Sequence, residues 1–341
     1  MNTWLQTLEN FGATLDGEHR LHTEAKPDQT LVTPLIHQQV LGVVGPDAHK
    51  FLQGQLSCDL AELDQRGSGL GAHCNIKGSM LALYRLMLVE GGYWLRLSHD
   101  ISKAAQANLN KYIIFSKAET SDLSDQIVGL GLSGPGAIAL IERVMERAPS
   151  ELNGTLRSGQ RLAVKVPGKR FELWLPVTEA IELLPNLLDK ASLGGTAQWE
   201  LQEIRAGVPD LRAESSESFI PQMTNLQALN GVSFTKGCYT GQEIVTRLQH
   251  RGKLNKCMFR ARVETDQAPA VGSYIHTETR EKVGQILLAA PADEHSVEVL
   301  AVITKEQADE HTLMLDNQNG PTLELLPLPY ELDPELFERK R

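Results

Sequence analysis

The chain has 341 residues, 41% hydrophobic and 22% charged, with a formal charge of −10. That composition excludes large-scale disorder, and the acidic balance excludes a protein that coats nucleic acid with its whole surface. No apolar run approaches the roughly 18–20 residues needed to cross a bilayer, and the N-terminal stretch has no signal-peptide core. Four well-separated cysteines (Cys58, Cys74, Cys238, Cys257) contain no C-x-x-C pair, so neither a disulfide framework nor a structural zinc cluster is expected. These features predict a cytoplasmic protein with reduced thiols, in two to three domains.

In chain order, residues 81–89 and 93–97 read as two strands turned by Glu90, Gly91 and Gly92, followed by a helix over about 101–112. A helix is predicted from Pro135 to about Arg147, since proline suits the first helical turn. The hairpin pattern recurs at 161–166 and 170–175 around Pro167, Gly168 and Lys169, again followed by a helix, over 178–191. Two hairpin-then-helix stretches some eighty residues apart suggest an internal duplication. Thr196 is placed to cap a further helix carrying Trp199, Leu201 and Ile204. Residues 236–262 then carry seven basic side chains against Glu243, a net +6, whereas 263–341 carry 16 acids and 6 bases. Beyond Lys256, short runs at 257–263, 283–289, 297–303, 312–315 and 323–326 are separated by turn residues. This texture predicts a small β-barrel or sandwich, with a boundary near Gly252.

Gly129-x-Gly131-x-x-Gly134 matches a dinucleotide fingerprint formally. Its glycines alternate with Val128, Leu130 and Leu132 inside an apparent strand, whereas a Rossmann turn sets its first glycine after the strand. A glycine-bearing strand that lets a neighbouring element pack closely is the expected reading. His73 beside Cys74 lacks the further ligands a metal needs, and is read as an ordinary hydrogen-bonding histidine.

The most informative stretch is K-G-C-Y-T-G-Q-E at 236–243. Thr240 and Glu243 form a T-x-x-E capping box ahead of the apolar face of Ile244, Val245 and Leu248. Cys238 then precedes a helix N-terminus, where the macrodipole favours an anion, with Lys236 two residues upstream. On local chemistry a reactive thiol and a buried structural cysteine both fit. The basic run 236–262 has two readings as well, a solvated helix face or an RNA-binding surface. It lacks the interleaved aromatics of single-strand binders.

The run from Phe219 to Leu229 leading through Gly231 and Phe234 into K-G-C-Y-T-G-Q-E closely resembles the YgfZ family. Further matching segments are Lys50–Gln55, Ala72–Gly78, Lys111–Lys117 and Leu326–Tyr330, so the resemblance covers nearly the whole chain. That family is one of folate-binding proteins linked to iron–sulfur enzymes and tRNA modification, and is related to the glycine-cleavage T-protein. The resemblance implies an α+β fold, with an internally duplicated folate-binding region and a small C-terminal β-barrel. The implied segments are 1–120, 121–252 with the cysteine motif, and 253–330. It implies tetrahydrofolate or a one-carbon derivative as cofactor and iron–sulfur enzymes, including tRNA-modifying ones, as partners. It assigns Cys238 as the reactive thiol with Lys236 beside it, and Trp199 as a wall of the pterin site, although core packing on an amphipathic helix explains Trp199 equally. Gln38 stands where some members place the first of two tryptophans, Trp199 matching the second, and is the other residue implied for the cofactor site. A folate-dependent aminomethyltransferase is the alternative. Ala82 and Leu83 stand where T-proteins carry aspartates, and neither side chain relays a proton.

Overall fold

A computed structural model describes residues 2–26 and 28–338. The backbone divides into two compact units that are discontinuous in sequence. One comprises Met1–Phe51, Leu60–Gly69 and Arg85–Trp199, the other Leu52–Asp59, Leu70–Tyr84 and Glu200–Arg341. Contacts within each unit therefore join segments far apart along the chain, and no single cut separates the units. Among the described residues no helix is long and apolar enough to cross a membrane.

The first unit is α+β. One sheet runs in the order Thr155–Ser158, Arg161–Val166, Arg170–Pro176, Ile127–Ser133, Leu31–Pro34, Ser192–Leu193, antiparallel except for the last pair. The expected hairpin forms through a three-residue connection, Pro167 to Lys169, in which Gly168 (φ 86°) and Lys169 (φ 58°) both take the left-handed conformation. On one face of this sheet, Leu130, Leu132, Phe171, Leu173 and Leu175 bury themselves with the helices Ala137–Met145 and Val177–Leu188. On the other lie Leu162, Val164, Trp174 and Trp199, together with Val40, Met87 and Val89. Those last residues belong to antiparallel strands in which residues 85–89 pair with Gly92–Ser98, and Gly92–Ser98 with Gln38–Val44. Both hairpin-then-helix stretches are thus present, the first helix being Ser102–Ile113, and they sit in different sheets.

Three helix starts differ from the sequence reading. Ala137–Met145 begins after Pro135, with Gly136 at its N-cap. Thr196 is the first helical residue of Thr196–Arg205, and its hydroxyl accepts the Leu21 N–H at 2.9 Å instead of capping the helix. The Gln198 side chain reaches back to the Gly195 N–H at 2.9 Å, which satisfies one donor at that helix end. The third case is the motif helix, described below.

In the same unit His19 and His99 stack with ring centroids 3.8 Å apart. Burial and the neighbouring His19 hold His99 below its ordinary 6.5, with Lys103 acting in the same direction and Asp100 and Asp122 opposing. A histidine held below its unfolded pKa binds fewer protons folded than unfolded between the two values. Stability is therefore full above about pH 6.5 and lost as pH falls through the folded value. The melting temperature is expected to drop between about pH 7.5 and 5.5, and His19→Ala to shrink that drop. An unchanged pH dependence in His19→Ala would dismiss the stack as its source.

The second unit contains one curled antiparallel sheet, a half-barrel where a small β-barrel or sandwich was expected. Its order is Met314–Leu315, Tyr274–His276, Gly284–Pro291, Ser296–Thr304, Lys256–Glu264, Leu323–Leu326. Alternation puts Ala261, Val263, Val297, Val299, Ala301 and Ile303 into its core. The outward-turned Arg260 pairs with Glu298 at 2.7 Å, and Arg205 pairs with the same carboxylate at 2.8 Å. One edge strand has only two residues, and it meets the chain leading into the other edge strand at the single bridge between Met314 and Thr322.

Candidate functional site

Two clusters of chemistry-bearing side chains emerge, one in each unit. In the first, strand register sets Glu172 opposite Gly131 and Trp174 opposite Gly129. A Cβ at Gly129 would stand 2.6 Å from the Trp174 ring, and one at Gly131 would stand 2.5 Å from the Trp199 ring. The G-x-G pattern is therefore the floor on which two tryptophans lie, as a glycine-bearing strand implies.

Glu172 is fully buried. It accepts from Arg96 Nη2 at 3.1 Å and from Trp174 Nε1 at 2.9 Å, and lies 3.7 Å from Arg85 Nε. Burial pushes its pKa up, but Arg96, Arg85, the Trp174 N–H and Arg170 outweigh that push and hold the carboxyl below its usual range. The arrangement answers a specific strain. Arg85 and Arg96 are directly opposite on neighbouring strands, a like-charge pairing that is unfavourable unless an anion bridges it. Arg96 also donates to Gln38 Oε1 at 3.1 Å, and Arg85 to Asn153 Oδ1 at 2.8 Å.

Trp199 is 2% exposed, with the Arg170 guanidinium 4.4 Å above its ring centroid. Gln38 lines a pocket with Trp4, Gln39 and His99 that encloses about 20 Å³, enough for one water, whereas ligand sites run to about 300 Å³ or more. The pocket at Gln38 is thus far smaller than a pterin site. Ala82 and Leu83, in the second unit, are buried in an apolar strand and bring no carboxylate to that segment.

The second cluster is the motif turn. Its helix runs Gln242–Arg251, with Gly241 at the N-cap (φ 83°) and no side-chain cap, so the expected Thr240–Glu243 box does not form. The reason is a close approach. A Cβ on Gly241 would collide with the Asn75 carbonyl and press on Cys74, while one on Gly78 would meet Ile244 at 3.0 Å. The segments A-H-C-N-I-K-G and K-G-C-Y-T-G-Q-E are therefore locked together through their glycines. Thr240 instead donates its N–H to the Gly54 carbonyl at 3.3 Å.

Cys238 is exposed and the other three cysteines are buried. Burial pushes the thiols of Cys74 and Cys257 up to about 12. Its neighbours Lys236 and Tyr239 both turn inward, at 9% and 6% exposure. Lys236 Nζ donates to three carbonyls, of Gln53 at 2.6 Å, Leu56 at 2.8 Å and Cys58 at 2.7 Å. Burial pulls its pKa down to about 8, opposed by Cys58 and Asp59. The two local charges expected to act on Cys238 are thus placed elsewhere. The ammonium faces carbonyls, and the helix starts four residues downstream, beyond the first-turn range of its dipole.

The basic segment does not form one helix face. Lys236 is caged, Arg260 pairs with Glu298, and Arg262 pairs with Glu264 at 2.9 Å and Asp293 at 3.0 Å. The Arg251 side chain lies outside the described residues. His73 is a fully buried residue of the strand Ser68–Cys74. Sequence reasoning missed the Glu172 cluster. Its only signal was an arginine or glutamate inside each of three otherwise apolar strands, at Arg85, Arg96, Arg170 and Glu172.

This α+β fold resembles that of an aminomethyltransferase T. The glycine cleavage system aminomethyltransferase T from Bartonella henselae superposes with a TM-score of 0.73 over 99% of each chain, at 18% identity. No protein-family profile matches the chain. The chain is 34% identical to the tRNA-modifying protein YgfZ of Pectobacterium atrosepticum over 295 residues, 85% of this chain and 88% of that one. It is 33% identical to that of Yersinia enterocolitica over 295 residues, 85% and 89% of the respective chains. The chain belongs to the YgfZ family.

Proposed function

We propose that this is a folate-binding protein of the cytoplasm that supports iron–sulfur enzymes and tRNA modification, with Cys238 as its working thiol. The carrying observation is the exposed cysteine, held in a turn that two sequence motifs build jointly, on an aminomethyltransferase T fold. The relatives' naming as tRNA-modifying proteins supplies the biological setting. Tetrahydrofolate or a one-carbon derivative is the proposed cofactor. Trp199, which lies under Arg170, and Gln38, which accepts from Arg96, are the proposed contacts.

The T-type fold favours a second reading, folate-dependent one-carbon transfer. Ala82 and Leu83 weigh against it, since neither accepts a proton. Titration with tetrahydrofolate and its one-carbon forms, followed by tryptophan fluorescence, tests the cofactor. Saturable binding is expected, weakened in Trp199→Phe. Equal affinity in that variant assigns Trp199 to packing alone, and no binding by the parent removes the cofactor. Turnover of an aminomethyl donor above a no-enzyme control would favour the transferase.

For Cys238, exposure makes the expectation direct. A short iodoacetamide pulse at about pH 7 should label it before the three buried thiols. Cys238→Ser should lower partner iron–sulfur enzyme activity in cells, because a hydroxyl keeps the shape and supplies almost no anion. A strain carrying Cys238→Ser with full activity would take the thiol out of the mechanism.

A further inference from the structure

The motif reads K-G-C-Y, and its first and fourth side chains fold under its third. The Lys236 ammonium sits among the carbonyls of Gln53, Leu56 and Cys58 at 2.6–2.8 Å, and 5.2 Å from the Tyr239 ring centroid. Gln53 belongs to the last turn of the helix Ala48–Gln55, and Leu56 and Cys58 follow it directly. Carbonyls freed at a helix C-terminus carry the negative end of the dipole. The Gln53 carbonyl is one of these, and together with the Leu56 and Cys58 carbonyls, which lie beyond the helix, and an aromatic face beside them, it makes an ammonium site. Three charge-assisted bonds from a buried cation are of the strong kind. A Cβ at Gly237 would meet open space.

We propose that Lys236 is a positioning residue whose ammonium is a built-in cation clamping residues 236–239 onto segment 53–58. The clamp holds Cys238 outward at the surface, and the cage accepts a small primary ammonium ion when the lysine side chain is removed. This deepens the reading of Cys238 as the working thiol and assigns Lys236 no contact with reactants.

The test reads Cys238 alkylation rates, which report the turn's geometry whether or not the thiol is used in cells. Lys236→Ala is expected to change the rate about tenfold, the change that ~1.4 kcal/mol of lost positioning produces. Methylammonium chloride should restore the parental rate. Tetramethylammonium chloride at the same concentration, about 0.1 M so that screening is matched, should not, because it has no N–H donors. A parental rate in unsupplemented Lys236→Ala overturns the clamp. Rescue by neither salt, or by both alike, also overturns it, since the specific ammonium contacts are then not what holds the turn. Should Lys236→Ala fail to fold, Lys236→Met keeps most of the stem and removes the donors. It is expected to show the altered rate, and a parental rate there is equally decisive against the proposal. A fully active Cys238→Ser strain would refute the functional reading while leaving these rates, and the clamp, untouched.

Discussion

Glu172→Ala is expected to lose about 3–5 kcal/mol of unfolding free energy, enough to leave a typical domain barely folded. The carboxylate is fully buried, bonds Arg96 at 3.1 Å and Trp174 at 2.9 Å, and lies 3.7 Å from Arg85. Without it, two buried arginines directly opposite each other on neighbouring strands lose the anion that bridges them. Glu172→Gln keeps the shape and the Trp174 acceptor but removes the charge, so it separates the two contributions. If electrostatics dominate, Gln is nearly as damaging as Ala. Denaturant unfolding of both variants is the measurement. A loss under about 1 kcal/mol in Glu172→Ala would show that the arginines do not depend on this carboxylate. Replacing Glu172, Arg85 and Arg96 together by apolar residues should recover much of the loss, because a buried ion cluster contributes little net stability over good packing.

Trp199→Ala is expected to cost about 3–5 kcal/mol, since a ring 2% exposed leaves a large cavity when truncated. The loss has a specific partner. Gly131 exists to accommodate that ring, as a Cβ there would stand 2.5 Å from it. Gly131→Ala alone should therefore be destabilising by roughly 1–3 kcal/mol, through overpacking. In the Trp199→Ala background the added methyl falls into vacated space, and its cost should shrink toward zero. A double-mutant cycle measures this coupling, and additive effects would contradict the packing account. Because the alanine variant compromises the fold, Trp199→Phe is the variant suited to ligand binding.

Local chemistry explains much of what the sequence disclosed. Hairpins at 90–92 and 167–169 were legible because glycine supplies the left-handed backbone of a tight turn. The half-barrel strands were legible because short apolar or alternating runs are separated by turn residues, although Ser296–Thr304 is buried along nearly its whole length. The exposure of Cys238 was not legible locally, since an exposed thiol and a buried one both fit its glycine-flanked turn. Helix starts were read less well. Thr196 and Thr240 had the right identity to cap, yet one hydroxyl accepts from Leu21 and the other residue turns toward Gly54. A capping residue chooses among acceptors and donors by proximity, and distant segments enter that competition only once the chain has folded.

What the sequence alone determined about this protein is its class of fold, its secondary-structure rhythm and the motif around Cys238, because these rest on residue identity and short-range spacing. Only the tertiary structure decided that the G-x-G strand is a floor for Trp174 and Trp199, and that Glu172 bridges opposed arginines. It likewise decided that Lys236 faces three carbonyls 178 to 183 residues away along the chain, where the sequence reading had set it beside the thiol. A charge acts on whatever lies within a few ångströms, and for a buried charge the long-range packing of the chain chooses that neighbour.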